Sequence, residues 1–218
     1  DFLSVGPEEV VDLCLTSGTT GLPVTMYQSR RDLDRVAYNE EISFRAAGIT
    51  SSDRVLIAAA IDRCFMAGLA YFLGIVRIGA TSIRGGSSSL PMLEELVLRH
   101  KPTAIVGVPS LMLILADRLK KRGVALSQLG VRRLICIGEP VRSPDLSLSV
   151  LGEKLRVAWS AEVFGTYAST EMATAFADCE GGFGGHVHPE LIAVEIVDEE
   201  GRVLPPGEAG EVVATPLQ

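Results

Sequence analysis

The densest run of chemically useful residues is Thr16-Ser17-Gly18-Thr19-Thr20-Gly21, followed by Leu22-Pro23. Ser and Thr hydroxyls donate hydrogen bonds without adding charge. Glycines let consecutive backbone N–H groups converge into a nest that holds an anion. Together they suit a polyphosphate. The run is not a Walker A loop, because no Gly-Lys-Ser/Thr follows. A second constellation is Cys179, His186 and His188, the last followed by Pro189-Glu190. His186 and His188 would share one face of an extended strand, with Cys179 folding back across the glycines of 181–185 to make a zinc site. A closed zinc site needs four ligands and the spacing is no finger pattern. The competing reading is a glycine-rich pocket loop. Ser110 does not sit in a Gly-x-Ser-x-Gly elbow, which argues against a serine hydrolase.

These residues need a scaffold, and the pattern supplies one of alternating strands and helices. Val10–Leu15 reads as a short buried strand leading into the hydroxyl-rich turn. Ser29 caps a helix, with Asp32 at the capping-box position and Gly48 as its stop. Strands are expected at 54–60, 80–83, 103–107 and 133–137. Helices are expected at 66–78, 91–100 and 111–122, and another starting at Pro144 after Ser143. Strand–helix alternation implies an α/β fold, a mostly parallel sheet flanked by helices. The tail changes character. Alternation at 191–197, the turn Asp198-Glu199-Glu200-Gly201 and a further strand at 210–215 read as the start of a small antiparallel β element. The division expected is 1–190 as an α/β core and 191–218 as the start of a β subdomain.

Composition bounds the rest. A chain of 218 residues with 47% apolar and 22% charged residues can bury a core of its own. Its net charge of −7 disfavours a basic nucleic-acid binder. No apolar run reaches the roughly 20 residues of a membrane span. No leader is visible at Asp1-Phe2-Leu3-Ser4, and Cys14 and Cys136 in apolar runs read as buried free thiols, so a cytoplasmic location is expected. The first residue is not Met, so the chain reads as an excised or processed piece. Oligomeric state is left open.

Three ordered segments then carry a resemblance. Thr16–Pro23 resembles the phosphate-binding signature of the adenylate-forming (acyl-CoA synthetase, AMP-binding) superfamily. Ile137-Gly138-Glu139-Pro140 is similar to its Gly-Glu-Pro adenine-side loop. Phe164 through Tyr167-Ala168-Ser169-Thr170-Glu171 is similar to its aromatic–Gly–x–Ser/Thr–Glu motif. The nearest branch is the phenylacetate–CoA ligase-like group. The resemblance implies ATP-dependent activation of a carboxylic acid as an acyl adenylate, then thioester formation with CoA, with an aromatic acid such as phenylacetate favoured. It implies that Thr16, Ser17, Gly18, Thr19, Thr20 and Gly21 hold the outer phosphates of ATP. Gly138, Glu139, Pro140 and Tyr167 would flank adenine, Thr170 would donate to the α-phosphate, and Glu171 would hold Mg2+. The acyl pocket would draw on Phe65, Ala67, Gly68, Tyr71, Pro109 and Ser110.

The sequence departs from that pattern in places. Val24 stands where many members carry lysine, which the phenylacetate–CoA ligase branch tolerates, and Ala168 where glycine is usual. The ribose-binding Asp and the C-terminal lid with its lysine would lie beyond Gln218, so the 218-residue chain alone is expected to be inactive. The alternative is a truncated, non-catalytic nucleotide- or acyl-binding module. Gly18 and Gly21 are expected at backbone angles that a Cβ would strain by about 1 kcal/mol each. If the loop touches the outer phosphates, Gly18→Val should weaken ATP binding far more than AMP binding in a calorimetric titration. Equal loss for both would indicate a general packing defect.

Overall fold

The computed structural model describes residues 5–16, 21–182 and 184–217. Ser17, Gly18, Thr19 and Thr20, the heart of the hydroxyl-rich run, lie outside the described residues. The chain opens with a hairpin of β1 (Val10–Leu15) and β2 (Thr25–Ser29). Helix α1 (Arg30–Ala46) follows. Then β3 (Arg54–Ala58), α2 (Met66–Ile78), β4 (Thr81–Arg84), α3 (Leu90–His100), β5 (Ala104–Gly107), α4 (Pro109–Lys121) and β6 (Arg133–Cys136) alternate. After α5 (Val150–Trp159) come β7 (Glu162–Ser169) and β8 (Thr174–Ala177), and β9 (Ile192–Val197) and β10 (Glu211–Pro216) close the described chain.

The central sheet has six strands in the order β4-β3-β5-β6-β7-β8. All neighbours pair in parallel except β7 and β8. Alternating residues of β3 serve opposite faces. Leu56 and Ala58 join a core under α3, α4 and α5, centred on Met112, Leu115 and Trp159. Val55 and Ile57 join a second core under α1 and α2 with Phe44, Tyr71 and Ile75. A parallel sheet must be covered on both faces, and this one is. The expected fold class, with its small antiparallel pair β9–β10 at the C-terminal end, is what the chain adopts.

Local chemistry sets the element ends. Ser29 accepts from the Asp32 backbone N–H while Asp32 accepts from that of Ser29, a reciprocal cap on α1. Gly79 stops α2 in the left-handed conformation at φ 84°. Helix α5 begins at Val150, capped by Ser149, and not at Pro144. The Pro144 segment is a turn instead. Asp145 accepts from both the backbone N–H and the hydroxyl of Ser147, and Arg142 pairs with Leu148 across it. The hairpin β1–β2 corrects another expectation. Only Cys14 of β1 is buried, while Val11 and Leu13 are exposed, because β1 pairs with β2 outside the main sheet. Cys14 and Cys136 are buried free thiols as expected. Among the described residues no helix is long and apolar enough to cross a membrane.

Strand β7 changes partner half-way. Glu162–Gly165 pair with β6 in parallel, and Thr166–Ser169 pair with β8 antiparallel. Asp178, just past β8, fixes the changeover. Its Oδ2 accepts from the Gly165 N–H at 2.8 Å and from Arg142 Nε at 2.7 Å, and its own N–H donates to the Gly165 carbonyl at 2.9 Å. The carboxylate is only 2% exposed. Removing one partner of a buried pair leaves the other desolvated and unpaired, which costs about 3–5 kcal/mol. Asp178→Ala should therefore lower the urea midpoint by the equivalent of about 3 kcal/mol, with the slope of the transition unchanged. A shift under about 1 kcal/mol would mean that the changeover is held elsewhere.

Candidate functional site

Strands β3 and β5 are neighbours, but β3 runs on to β4 at one edge and β5 runs on to β6 in the other direction. A reversal of this kind leaves a crevice beyond the carboxyl ends of the two strands. A cleft of about 530 Å³ lies there. Its floor is Ala58 at the end of β3 with Ala59 and Ala60 beyond it, Val108 after β5 and Ile137-Gly138 after β6. One wall is the start of α2, with Phe65, Ala67 and Tyr71. The other is the β7–β8 hairpin, with Ala168, Ser169, Thr170 and Glu171. Helix α1 closes the back with Val36, Asn39 and Glu40.

The hairpin tip is braced locally. Ser169 Oγ accepts from the Met172 N–H, and the Thr174 hydroxyl donates to the Met172 carbonyl. Asn39, 1% exposed, reaches across from α1 and accepts from the Ala175 N–H at 3.3 Å. Thr170 and Glu171 are thus carried on a turn whose start and end are both fixed, and Glu171 is exposed to whatever enters. Gly138 lines the cleft at φ 72°, a conformation that penalises any residue with a Cβ.

Of the acyl-pocket residues expected from the sequence, Phe65, Ala67 and Tyr71 line the cleft. Gly68 does not; an added Cβ there would collide with the Ala60 carbonyl, so its role is close approach of α2 to the chain after β3. Pro109 and Ser110 also lie off the cleft wall. Ser110 donates from both its backbone N–H and its hydroxyl to Glu139, at 2.9 and 2.8 Å. Glu139 therefore neutralises the N-terminal end of α4 and anchors the Gly138-Glu139-Pro140 loop to it. Tyr167 points to the other side of β7 from Ala168. It is 61% exposed and stacks on its cross-strand partner Phe176, with ring centroids 6.0 Å apart.

The ends of the hydroxyl-rich run are fixed. Thr16 Oγ1 accepts from the Val24 N–H at 3.0 Å, and the Thr16 N–H donates to the Val24 carbonyl. Leu15 is tied to the Cys64 carbonyl beside Phe65. At Gly21 an added Cβ would meet no atom of the described residues within 4 Å.

The zinc expectation is not met by the described residues. Cys179 Sγ and His186 Nε2 lie 3.1 Å apart, but His188 turns away to Ser43 Oγ at 3.4 Å. Among the described residues no three His, Cys, Asp or Glu side chains converge on one point. The reason is local: His186 bridges to Ala177, and the chain between it and His188 does not continue as a strand.

Sequence reasoning missed Glu40. It sits between Val36 and Phe44 on the buried side of α1, at helical spacing where an apolar residue belongs. That interruption was the available signal. Glu40 takes a hydrogen bond from Asn39 Nδ2 at 3.1 Å, and burial pushes its carboxyl up to about 7.

The comparisons with known proteins agree with this architecture. The family model described as AMP-binding enzyme matches residues 3–215. The chain belongs to that family. It is 31% identical over 99% of its length to the phenylacetate-coenzyme A ligase of Pseudomonas putida, and 27% identical to that of Escherichia coli K12. It covers 48% and 49% of those two proteins, so it spans about half the length of the curated relatives it matches. A solved 2-hydroxyisobutyryl-CoA ligase in complex with 2-HIB-AMP and CoA superposes with a TM-score of 0.86 at 26% identity, covering 97% of this chain and 45% of that one. An anthranilate CoA ligase with anthranoyl-AMP superposes at 0.73 and 22% identity, over 95% and 40%, which speaks to the fold alone.

The Glu40 carboxyl makes a pH prediction. The unfolded chain binds this proton with an ordinary value of 4.5, and the fold with a value of about 7. Below 4.5 both states hold the proton and Glu40 contributes nothing. As pH rises through this window the unfolded state ionises first, so stability declines, by on the order of 3 kcal/mol once pH exceeds 7. Glu40→Gln should flatten that decline in urea midpoints measured from pH 4.5 to 8. An identical slope in both proteins would place the titration elsewhere.

Proposed function

We propose that the cleft at the carboxyl end of the sheet is the acyl site of an acid–thiol ligase, and that the adjoining surface binds ATP. The observation that supports it most is the convergence of Phe65 and Tyr71, from the start of α2, with Thr170 and Glu171 on one cleft beside Gly138. An apolar slot next to exposed polar groups is what joining a carboxylic acid to a phosphate requires.

In this reading the first reaction is attack of a substrate carboxylate oxygen on the α-phosphorus of ATP, with departure of pyrophosphate. The second is attack of the CoA thiol on the acyl adenylate, releasing AMP. The chain supplies no covalent nucleophile. It holds reactants in line and stabilises charge. The Thr170 hydroxyl donates to an α-phosphate oxygen. Tyr167, half-open to solvent, offers its ring to adenine. The run Thr16–Gly21, closed at its neck by the Thr16–Val24 bonds, grips the outer phosphates. Glu171 is a hard oxygen donor, exposed at the cleft rim, and fits a Mg2+ ion. Bound there, the ion would neutralise phosphate charge.

The lid and ribose-binding groups belong, on this reading, to the part of the relatives that this chain does not cover. Residues 1–190 act as the nucleotide and acyl core and 191–218 as the start of a β subdomain. The 218-residue chain alone is then a weak nucleotide binder without turnover. Cellular location and self-association are not needed for the reaction; a cytoplasmic enzyme of either state would perform it.

The test is ATP–pyrophosphate exchange by the native-length protein across aromatic and aliphatic acids. Glu171→Gln keeps the side-chain shape and removes the charge. It should lower Mg2+-dependent exchange by about 100-fold or more with the melting temperature unchanged. Undiminished exchange at limiting Mg2+ would remove Glu171 from the site. No exchange with any acid would favour a non-catalytic binding module.

A further inference from the structure

Four carboxylates of the described chain are buried: Glu40, Asp53, Glu94 and Asp178. Asp53 is bonded by Arg132, Thr103 and Thr50. Glu94 is gripped by Arg118 and Arg122. Asp178 is held by Arg142 and the Gly165 N–H. Each thus has an arginine and further donors, as a buried charge requires. Glu40 is the exception. Among the described residues it has no cationic partner, and one amide hydrogen bond from Asn39 is all that it receives. It is also the one of the four that lines the cleft.

The fold takes steps to keep it there. Gly74 of α2 lies directly against the Glu40 backbone and Cβ; a side chain at 74 would push the two helices apart. Glu40 is held by that crossing, 7% exposed, in the cleft beside the apolar Val36 and Ala70 and the phenol of Tyr71, whose pKa is pushed up by burial and by the nearby Glu40 carboxyl. Asn39 is already committed to the Ala175 N–H through its own oxygen and cannot reorient to satisfy the rest of the carboxyl. A buried polar group left short of partners is costly, and a ligand that completes it gains what an apolar ligand forfeits.

We infer that Glu40 is a specificity-determining residue: it selects carboxylic acids whose acyl part bears a hydroxyl or amino group and discriminates against plain hydrocarbon acids of the same shape. The inference rests on the reading of the cleft as an acyl site. The bond is from the substrate O–H or N–H to a Glu40 oxygen in the cleft, while the substrate carboxylate meets the α-phosphate held by Thr170. A site built to bond a hydroxyl rejects the analogue lacking it far more strongly than an apolar pocket rejects one with it.

The experiment uses pyrophosphate exchange by the native-length protein with matched pairs: phenylacetate against 3- and 4-hydroxyphenylacetate and 4-aminophenylacetate, and hexanoate against 6-hydroxyhexanoate. In at least one pair the substituted acid should have a kcat/KM higher by on the order of 10–100-fold. Glu40→Met should bring that ratio to about one or invert it, whereas Glu40→Gln, which still accepts a hydrogen bond, should keep the preference. A structural role alone would lower kcat/KM for both members of a pair together and leave the ratio where it was. Equal or better use of the plain acid by the unaltered protein in every pair would overturn the inference while leaving the ligase reading intact. Should Glu40→Met fail to fold, the ratio in the unaltered protein still decides. No exchange with any acid would overturn both readings.

Discussion

Everything in the candidate site depends on one strand having two partners. A strand paired with β6 along its whole length would end like its neighbours, flush with the sheet edge. Strand β7 instead runs on past Gly165 and is taken up by β8 in the opposite direction. The continuation raises Ala168 to Glu171 beside the crevice that the reversal between β3 and β5 opens. The changeover needs the backbone at Gly165 to be satisfied from the side. Asp178 does this, and Arg142 makes its burial tolerable. A side chain at 165 would press on Val141 and on Asp178 itself, so glycine there and the carboxylate belong to one device.

The second constraint is the close crossing of α1 and α2 at Gly74. It brings a helix that a parallel sheet would otherwise need only as cover into contact with the cleft. Asn39 then ties α1 to the hairpin, and Glu40 faces the interior of the cleft beside Tyr71. Of the four buried acids among the described residues, Glu40 alone lacks a counter-charge. The energetic cost falls where a ligand can offset it. A neutral side chain at 40 would make a more stable fold above pH 7 and a less selective pocket.

Much of the fold is legible in the residues, for reasons that differ by element. The ends of α1, α2 and α3 are written in local chemistry: Ser29 with Asp32, Gly79, and Ser89, whose Oγ accepts from the Met92 N–H. The start of α5 is not, because Ser143-Pro144 carries a helix-start signal that the Asp145–Ser147 turn overrides. Strands β7 and β8 escaped notice for another reason. Gly165, Ala168 and Ala175 have little strand preference, and the pairing that makes β7 run on into β8 is long-range. The site divides in the same way. The order of the motifs marks Thr170, Glu171 and Gly138. Which neighbours share the cleft depends on the alternation of β7, which sends Ala168 inward and Tyr167 outward. The motifs mark Glu139 and Ser110 as ligand contacts, and the structure adds that the two bond each other at the start of α4. Only the crossing at Gly74 reveals where Glu40 points.

The central claim is that one cleft, floored by the ends of β3, β5 and β6, receives the acyl group while the β7–β8 hairpin faces the phosphate. The most direct measurement is a crystal structure of the native-length protein with a non-hydrolysable acyl-adenylate mimic, an acyl sulfamoyl adenosine carrying a hydroxylated aromatic acyl group. The account predicts the acyl ring between Phe65 and Tyr71, its hydroxyl against Glu40, the sulfamoyl group beside Thr170, and adenine on the open face of Tyr167. An acyl group bound outside this cleft, with Phe65, Tyr71 and Glu40 untouched, would contradict it.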